Sequence, residues 1–266
     1  MMGETVKKRR VQQVLCDIPG FAGARIDAQL SDGPTNVSYL LEQSGEHYVL
    51  RLDKPDAGKL GLNRSNEKRI CKLVANAGLA PEPLFFDAGR GVYLRRFLAG
   101  RSWAVSDLAS RENLDRLARL VAKLHGLPPL GSGFEPLAAA RRYATQLGSD
   151  EPRSILRKAE TSVREIEAGS TETVLCHNDL VCQNVLEGSN LMLIDWEYAA
   201  IGDPFFDLAV VVRHHRLDKK SARYFLDAYL GRPANASETE QLELQCGFYQ
   251  YLLELWTLRV RRSGGC

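Results

Sequence analysis

Apolar residues follow two spacing regimes along this chain. Ala24 to Leu30, Val37 to Glu42 and Tyr48 to Leu52 are short β-type runs separated by turn signals at Ser31-Asp32-Gly33-Pro34 and Ser44-Gly45, which predicts a meander. Ahead of them Val11, Val14 and Leu15 form the apolar side of a first helix. Near Asn63 the spacing becomes helical: Ile70, Leu73, Val74 and Ala77 recur until Gly78 and Pro81 stop the pattern. Two further strands follow, Leu84 to Ala88 and Gly91 to Phe97, across a Gly89-Arg90-Gly91 turn. Past Gly100, Leu114, Leu117, Ala118, Val121 and Leu124 make one face of a helix ending at His125-Gly126. Helical segments resume from Pro136, and a long helix is expected from about Ser237 to Arg262. The pattern predicts an α+β protein with a small antiparallel sheet in residues 1–98, mainly helical structure in 99–266, and a hinge at Leu98-Ala99-Gly100.

Composition narrows the class. With 266 residues, 44% hydrophobic and 26% charged, the chain can bury a substantial core. A net charge of +2 gives no reason to expect a nucleic-acid partner, and the basic cluster Lys7, Lys8, Arg9 and Arg10 reads as the solvated face of the first helix. No window approaches a membrane span and the N-terminus lacks a signal-peptide core, so no membrane partner and a cytoplasmic location are expected. The six cysteines form no CxxC pair, which argues for reduced thiols rather than zinc or disulfides.

The chemistry is concentrated in VLCHNDLVCQNVLEGSNLMLIDWEYAAIGDPFFDL, Val174 to Leu208. His177, Asp179 and Asn184 have the spacing His-x-Asp-x-x-x-x-Asn, in which the Asp orients the proton of an attacking hydroxyl and the Asn supplies oxygen to a metal. A hairpin signal at Glu187 to Asn190 leads into the apolar run Leu191 to Ile194, which ends at Asp195, a second oxygen ligand. Hard oxygen donors of this kind suit magnesium. His177 is expected to brace the loop. Asp203 reads either as a helix cap ahead of Pro204 or as a residue facing the acceptor.

HNDLVCQN followed by LIDWEYAAIGDPFFDLA resembles the choline/ethanolamine kinases and the wider aminoglycoside phosphotransferase group, and bacterial thiamine kinases are similar too. The resemblance implies a protein-kinase-like fold of two lobes, ATP and magnesium as cofactors, and a small alcohol as phosphate acceptor. It also implies that Asp207 supports the catalytic loop by bonding its backbone, the alternative being a substrate anchor. GPTNVSY lies where such enzymes fold a loop over the nucleotide phosphates. With a single glycine there, Thr35, Asn36 and Ser38 would supply the contacts, although a plain hairpin turn reads equally from the letters. In the third strand Arg51 stands where protein kinases carry a Lys, and Glu67 on the next helix is its expected partner; the alternative is a surface Glu paired with Lys68 or Lys72. Backbone groups near Arg96, Phe97 and Leu98 are the implied adenine contact.

For the acceptor, Glu197 and Tyr198 follow the metal site, and Tyr249, Tyr251 and Trp256 lie on the long helix. An aromatic box with one carboxylate holds a single cation well, which fits choline, ethanolamine or thiamine. Tyr249, Leu252, Leu253 and Trp256 also match one apolar helix face and so fit core packing. The basic end, Arg259, Arg261 and Arg262, disfavours a polycationic aminoglycoside. A sugar kinase and an idle nucleotide-binding module remain as alternatives.

Overall fold

The computed structural model describes residues 2–55, 61–168 and 172–263, with side chains for 9–55, 61–167 and 172–262. The side chains of Lys7 and Lys8, and the last residues of the basic tail beyond Ser263, lie outside these. By internal contacts the chain divides into two compact units, Met1–Asn76 with Pro81–Ala99, and Ala77–Ala80 with Gly100–Cys266. The short Ala77–Ala80 segment joins the second unit because the Leu79 carbonyl accepts from the Leu193 N–H and the Ala77 carbonyl accepts from Lys123.

In the first unit, helix α1 (Met2–Cys16) precedes strands β1 (Arg25–Asp32), β2 (Asn36–Gln43) and β3 (Glu46–Asp53). Helix α2 (Arg64–Asn76) leads to β4 (Pro83–Asp87) and β5 (Val92–Arg96). The strands form one antiparallel sheet in the order β1-β2-β3-β5-β4. Val11 and Leu15 of α1 pack with Ile18, Leu41, Leu50 and Leu94 in a buried cluster. At roughly 1.5 to 3 kcal/mol for each such side chain, this burial offsets the ordering of a short meander. Asn63 starts α2 by accepting the Asn66 N–H at 3.0 Å through its side-chain oxygen.

The second unit opens with β6 (Arg101–Ser102), a strand that the periodicity does not reveal because it has only two residues. Helices α3 (Arg111–His125), α4 (Pro136–Leu147) and α5 (Asp150–Ala168) follow. Then come β7 (Val174–Cys176), β8 (Val185–Glu187), β9 (Leu191–Leu193) and β10 (Ala200–Gly202), and after them α6 (Pro204–His214), α7 (Lys219–Leu230) and α8 (Ala236–Ser263). Helix α8 packs against α4, α5 and α6, and α3 packs against α7. Strand β6 pairs with β8, where a side chain on Gly100 would place its Cβ 2.1 Å from the Glu187 carbonyl oxygen, so only glycine fits. Among the described residues no helix is long and apolar enough to cross a membrane.

Candidate active site

Two strand pairs fold the motif segment back on itself. Strand β7 pairs with β10, register Cys176 to Ala200, and so closes 177–199 into one loop system. Inside it, β8 pairs with β9, and the Ile194 N–H donates to the Asn184 carbonyl at 2.9 Å. That bond sets Asn184 beside the residue preceding Asp195. At Asp195 the backbone is left-handed, φ 66°, and turns directly into the short helical turn Trp196–Tyr198. The same hairpin is pinned at Glu187, which accepts from Arg101, Trp103 and Arg116.

Asp179 and Asn184 touch. The Asn184 amide donates to the Asp179 carboxylate and to its backbone carbonyl, 2.9 Å each. With the nitrogen so engaged, the side-chain oxygen of Asn184 is the atom suited to a cation. Burial raises the Asp179 carboxyl to about 7, with Asp195 next in effect and Glu197 after it, against a lowering by Asn184. A carboxylate cluster of this kind, together with an amide oxygen, is a hard-oxygen donor set that repels itself until a cation arrives, and it fits magnesium.

Behind the loop, Asp207 is wholly buried and accepts the His177 N–H at 2.8 Å and the Asn178 N–H at 2.7 Å. Asn178 adopts φ 62° and donates its amide to the Tyr198 carbonyl at 3.0 Å. His177 is also fully buried. Its Nε2 bonds the Ile194 carbonyl at 3.0 Å, its ring lies 4.5 Å from that of Trp196, and burial lowers its pKa. The enclosed imidazole donates from Nε2 to the Ile194 carbonyl and so holds the residue before Asp195 in place. Asp203 is a cap: its side chain accepts from the Phe205 N–H at 2.8 Å, and Gln241 and Gln245 of α8 donate to its other oxygen.

The aromatic residues divide. Tyr198 is raised well above its ordinary pKa by burial and then by Glu197, and Tyr249 is raised by burial and then by Asp179. Tyr143 of α4, which carries no motif and escapes sequence reasoning, is raised by burial with Asp179 and Glu197 also contributing. Tyr143, Tyr198 and Tyr249 thus share the electrostatic surroundings of the carboxylates. Glu197 itself is buried. Trp256 is half-buried and packs against Tyr143, ring centroids 5.7 Å apart and the planes tilted by 50°. The Arg259 guanidinium carbon lies 5.8 Å from the Trp256 ring and 6.0 Å from that of Tyr143. Tyr251 is half-buried.

In the first unit, Arg51 and Glu67 form an ion pair of 2.7 Å, both side chains buried. Glu67 also accepts from Arg64 at 2.7 Å, and Arg64 reaches both oxygens of Asp53. Arg64 is thus the missed member of the cluster; its position three residues before Glu67 is the available signal. Arg51 lies 5.2 Å from the Tyr93 ring. Thr35 and Asn36 are buried and bonded to each other at 2.9 Å, so these side chains shape the loop from within. The Phe97 N–H is engaged by the His47 carbonyl, its ring is exposed, and Leu98 is half-buried.

A match to the phosphotransferase enzyme family spans residues 28–242. Protein LicA of Haemophilus influenzae is 31% identical over 251 residues, which cover 87% of this chain and 91% of that protein. Ethanolamine kinase 2 of Mus musculus is 26% identical over 265 residues, 86% of this chain and 68% of the relative. Among solved structures, choline kinase LicA from Streptococcus pneumoniae superposes with a TM-score of 0.81 at 21% identity, covering 100% of this chain and 93% of that one. The kinase-like fold is shared.

Proposed function

Because the chain belongs to the phosphotransferase enzyme family, we propose that it is a small-molecule kinase that transfers the γ-phosphoryl group of ATP to the hydroxyl of choline or ethanolamine. The observation that carries this reading is the Asn184 amide donating to the Asp179 carboxylate while the Ile194 N–H donates to the Asn184 carbonyl and brings Asp195 into the same loop system. A carboxylate to orient the acceptor hydroxyl and an oxygen set for a cation are what such a transfer needs.

In the proposed reaction the acceptor oxygen bonds to the γ-phosphorus as the bond to the β-γ bridging oxygen breaks and ADP leaves. Asp179 orients the acceptor hydroxyl and takes its proton. Asn184 and Asp195 are the residues that would hold Mg2+, which supplies charge neutralisation at the phosphates when bound. Arg51, held by Glu67, is assigned to phosphate charge, and the loop at Thr35 and Asn36 to the nucleotide through its backbone. Glu197 with Tyr198 and Trp256 is assigned to the acceptor's ammonium. A cytoplasmic setting, where ATP is abundant, suits this activity.

ATP consumption measured with choline, ethanolamine, thiamine, a neutral sugar and an aminoglycoside tests the assignment. Turnover is expected with the small amino alcohols first. Preference for a sugar or a polyamine would replace the acceptor, and no turnover with any would leave an idle binding module.

A further inference from the structure

We propose that Tyr229 is a positioning residue for phosphoryl transfer, acting through His125 and Asp207 on the backbone that carries Asp179. The proposal rests on the reading of Asp179 as the carboxylate that orients the acceptor. Tyr229 lies near the end of α7, and its hydroxyl is 2.9 Å from Nδ1 of His125, the last residue of α3. The two rings meet edge to face at 5.5 Å. Nε2 of His125 is in turn 3.0 Å from Oδ2 of Asp207, the oxygen that also accepts the His177 N–H, while Oδ1 accepts from Asn178.

The bonds run from α7 through α3 to the loop. A carboxylate that already accepts two backbone N–H groups is an acceptor toward His125, so Nε2 carries the hydrogen. The Tyr229 hydroxyl holds the opposite ring nitrogen, Nδ1. Tyr229 therefore fixes the orientation of the ring that gives Asp207 its third donor. Asp207 in turn fixes His177 and Asn178, and Asn178 holds a left-handed backbone immediately before Asp179. Asn tolerates such a conformation better than most residues, and here the bonds to Asp207 and to the Tyr198 carbonyl fix it. Sγ of Cys176 lies within 4.8 Å of ligand atoms of His125 and Asp207, a grouping with metal-ligand chemistry. Both ring nitrogens and both carboxylate oxygens are engaged in the relay, however, and the Cys176 thiol donates to the Asp203 carbonyl and is pushed well up by burial. The relay accounts for these atoms without a metal.

The test compares Tyr229→Phe with Tyr224→Phe. Tyr224 lies on the same helix and bonds α3 through Asp115 at 2.9 Å rather than through His125. Tyr229→Phe should lower kcat by roughly tenfold, since misplacement of a reacting group by a fraction of an ångström has effects of that order. KM for ATP and for choline should stay within about twofold. The backbone amide proton resonances of His177 and Asn178 should move in the Tyr229 variant alone. In a His125→Gln background, Tyr229→Phe should add no further loss. Equal effects of the two tyrosine variants on kcat, or unmoved His177 and Asn178 amides in Tyr229→Phe, would overturn the proposal. The amide readout does not depend on turnover, so a wild-type protein with no kinase activity would remove the functional reading while the relay was judged separately.

Discussion

Asn184 donates its side-chain amide to the carboxylate of Asp179 and to the backbone carbonyl of the same residue, both at 2.9 Å. This bond ties the hydroxyl-orienting group to a metal-ligand candidate. Asp179→Asn keeps an oxygen for that bond and removes only the basic carboxylate. Turnover is expected to fall by roughly 10²- to 10⁴-fold while Mg-nucleotide affinity stays within about threefold. Steady-state kinetics beside calorimetry check it, and a variant with nearly full turnover would remove Asp179 from the reaction.

The two proposed ligands differ in charge. Asp195→Ala should weaken magnesium-dependent nucleotide binding more than Asn184→Ala, because a carboxylate contributes more to a divalent ion than a neutral amide does. Titration calorimetry with and without magnesium measures both, and unchanged affinity in the two variants would refute the ligand assignment.

Glu67 holds two guanidiniums, Arg51 and Arg64, at 2.7 Å each in a buried setting. Glu67→Ala leaves both without this partner, and breaking a buried pair from one side costs about 3 to 5 kcal/mol. A fall in Tm is expected, together with a rise in KM for ATP that exceeds any rise for the acceptor. Thermal unfolding and kinetics with each substrate varied separate the two effects. Equal rises in both KM values would count against a nucleotide role for Arg51.

At the acceptor side, Glu197→Gln should raise KM for choline roughly tenfold or more with little change in KM for ATP, since the role proposed for this carboxylate is to meet a single ammonium. Trp256→Ala should act likewise, with Tm followed in parallel because loss of a packed Trp costs about 3 to 5 kcal/mol. Arg259, over the Trp256 and Tyr143 rings, gives the opposite test. Arg259→Glu should improve kcat/KM for a dicationic amino alcohol relative to choline, and an unchanged ratio at low salt would show that this charge does not select the acceptor.

Buried His215 is expected to contribute to the loss of stability in acid. Burial, with the neighbouring His214 next, lowers its pKa from 6.5 to about 4. The folded protein therefore keeps this imidazole neutral where the unfolded chain protonates it. The associated stability is present above pH 6.5 and is lost as pH falls toward 4, on the order of 3 kcal/mol. His215→Gln should flatten the fall of Tm over that interval. A slope identical to wild type would assign the acid sensitivity elsewhere.

The sequence alone determined the order of elements and the kinase motif. Strand and helix periods follow from the alternation of side chains across a pleat and around a turn, so the meander, α2, α3 and the long α8 were legible to within a few residues. Asp179, Asn184 and Asp195 were legible for the same reason: they lie in one short segment whose spacing the hairpin β8 and β9 preserves. The Arg51 to Glu67 pair was written in the strand and helix that carry it, yet Arg64 as its companion was not, because one letter on a helix does not disclose which neighbours it meets. Nor did a short strand such as β6 show, since two residues carry no period. Only tertiary structure decided what lies near the loop from afar. Tyr143 of α4 and the relay from Tyr229 of α7 through His125 of α3 to Asp207 of α6 come from four different helices, with more than a hundred residues between Tyr229 and His125. A tyrosine that fills a core and one that orders a catalytic loop have the same local pattern, and the difference lies in long-range packing, which sequence spacing does not encode.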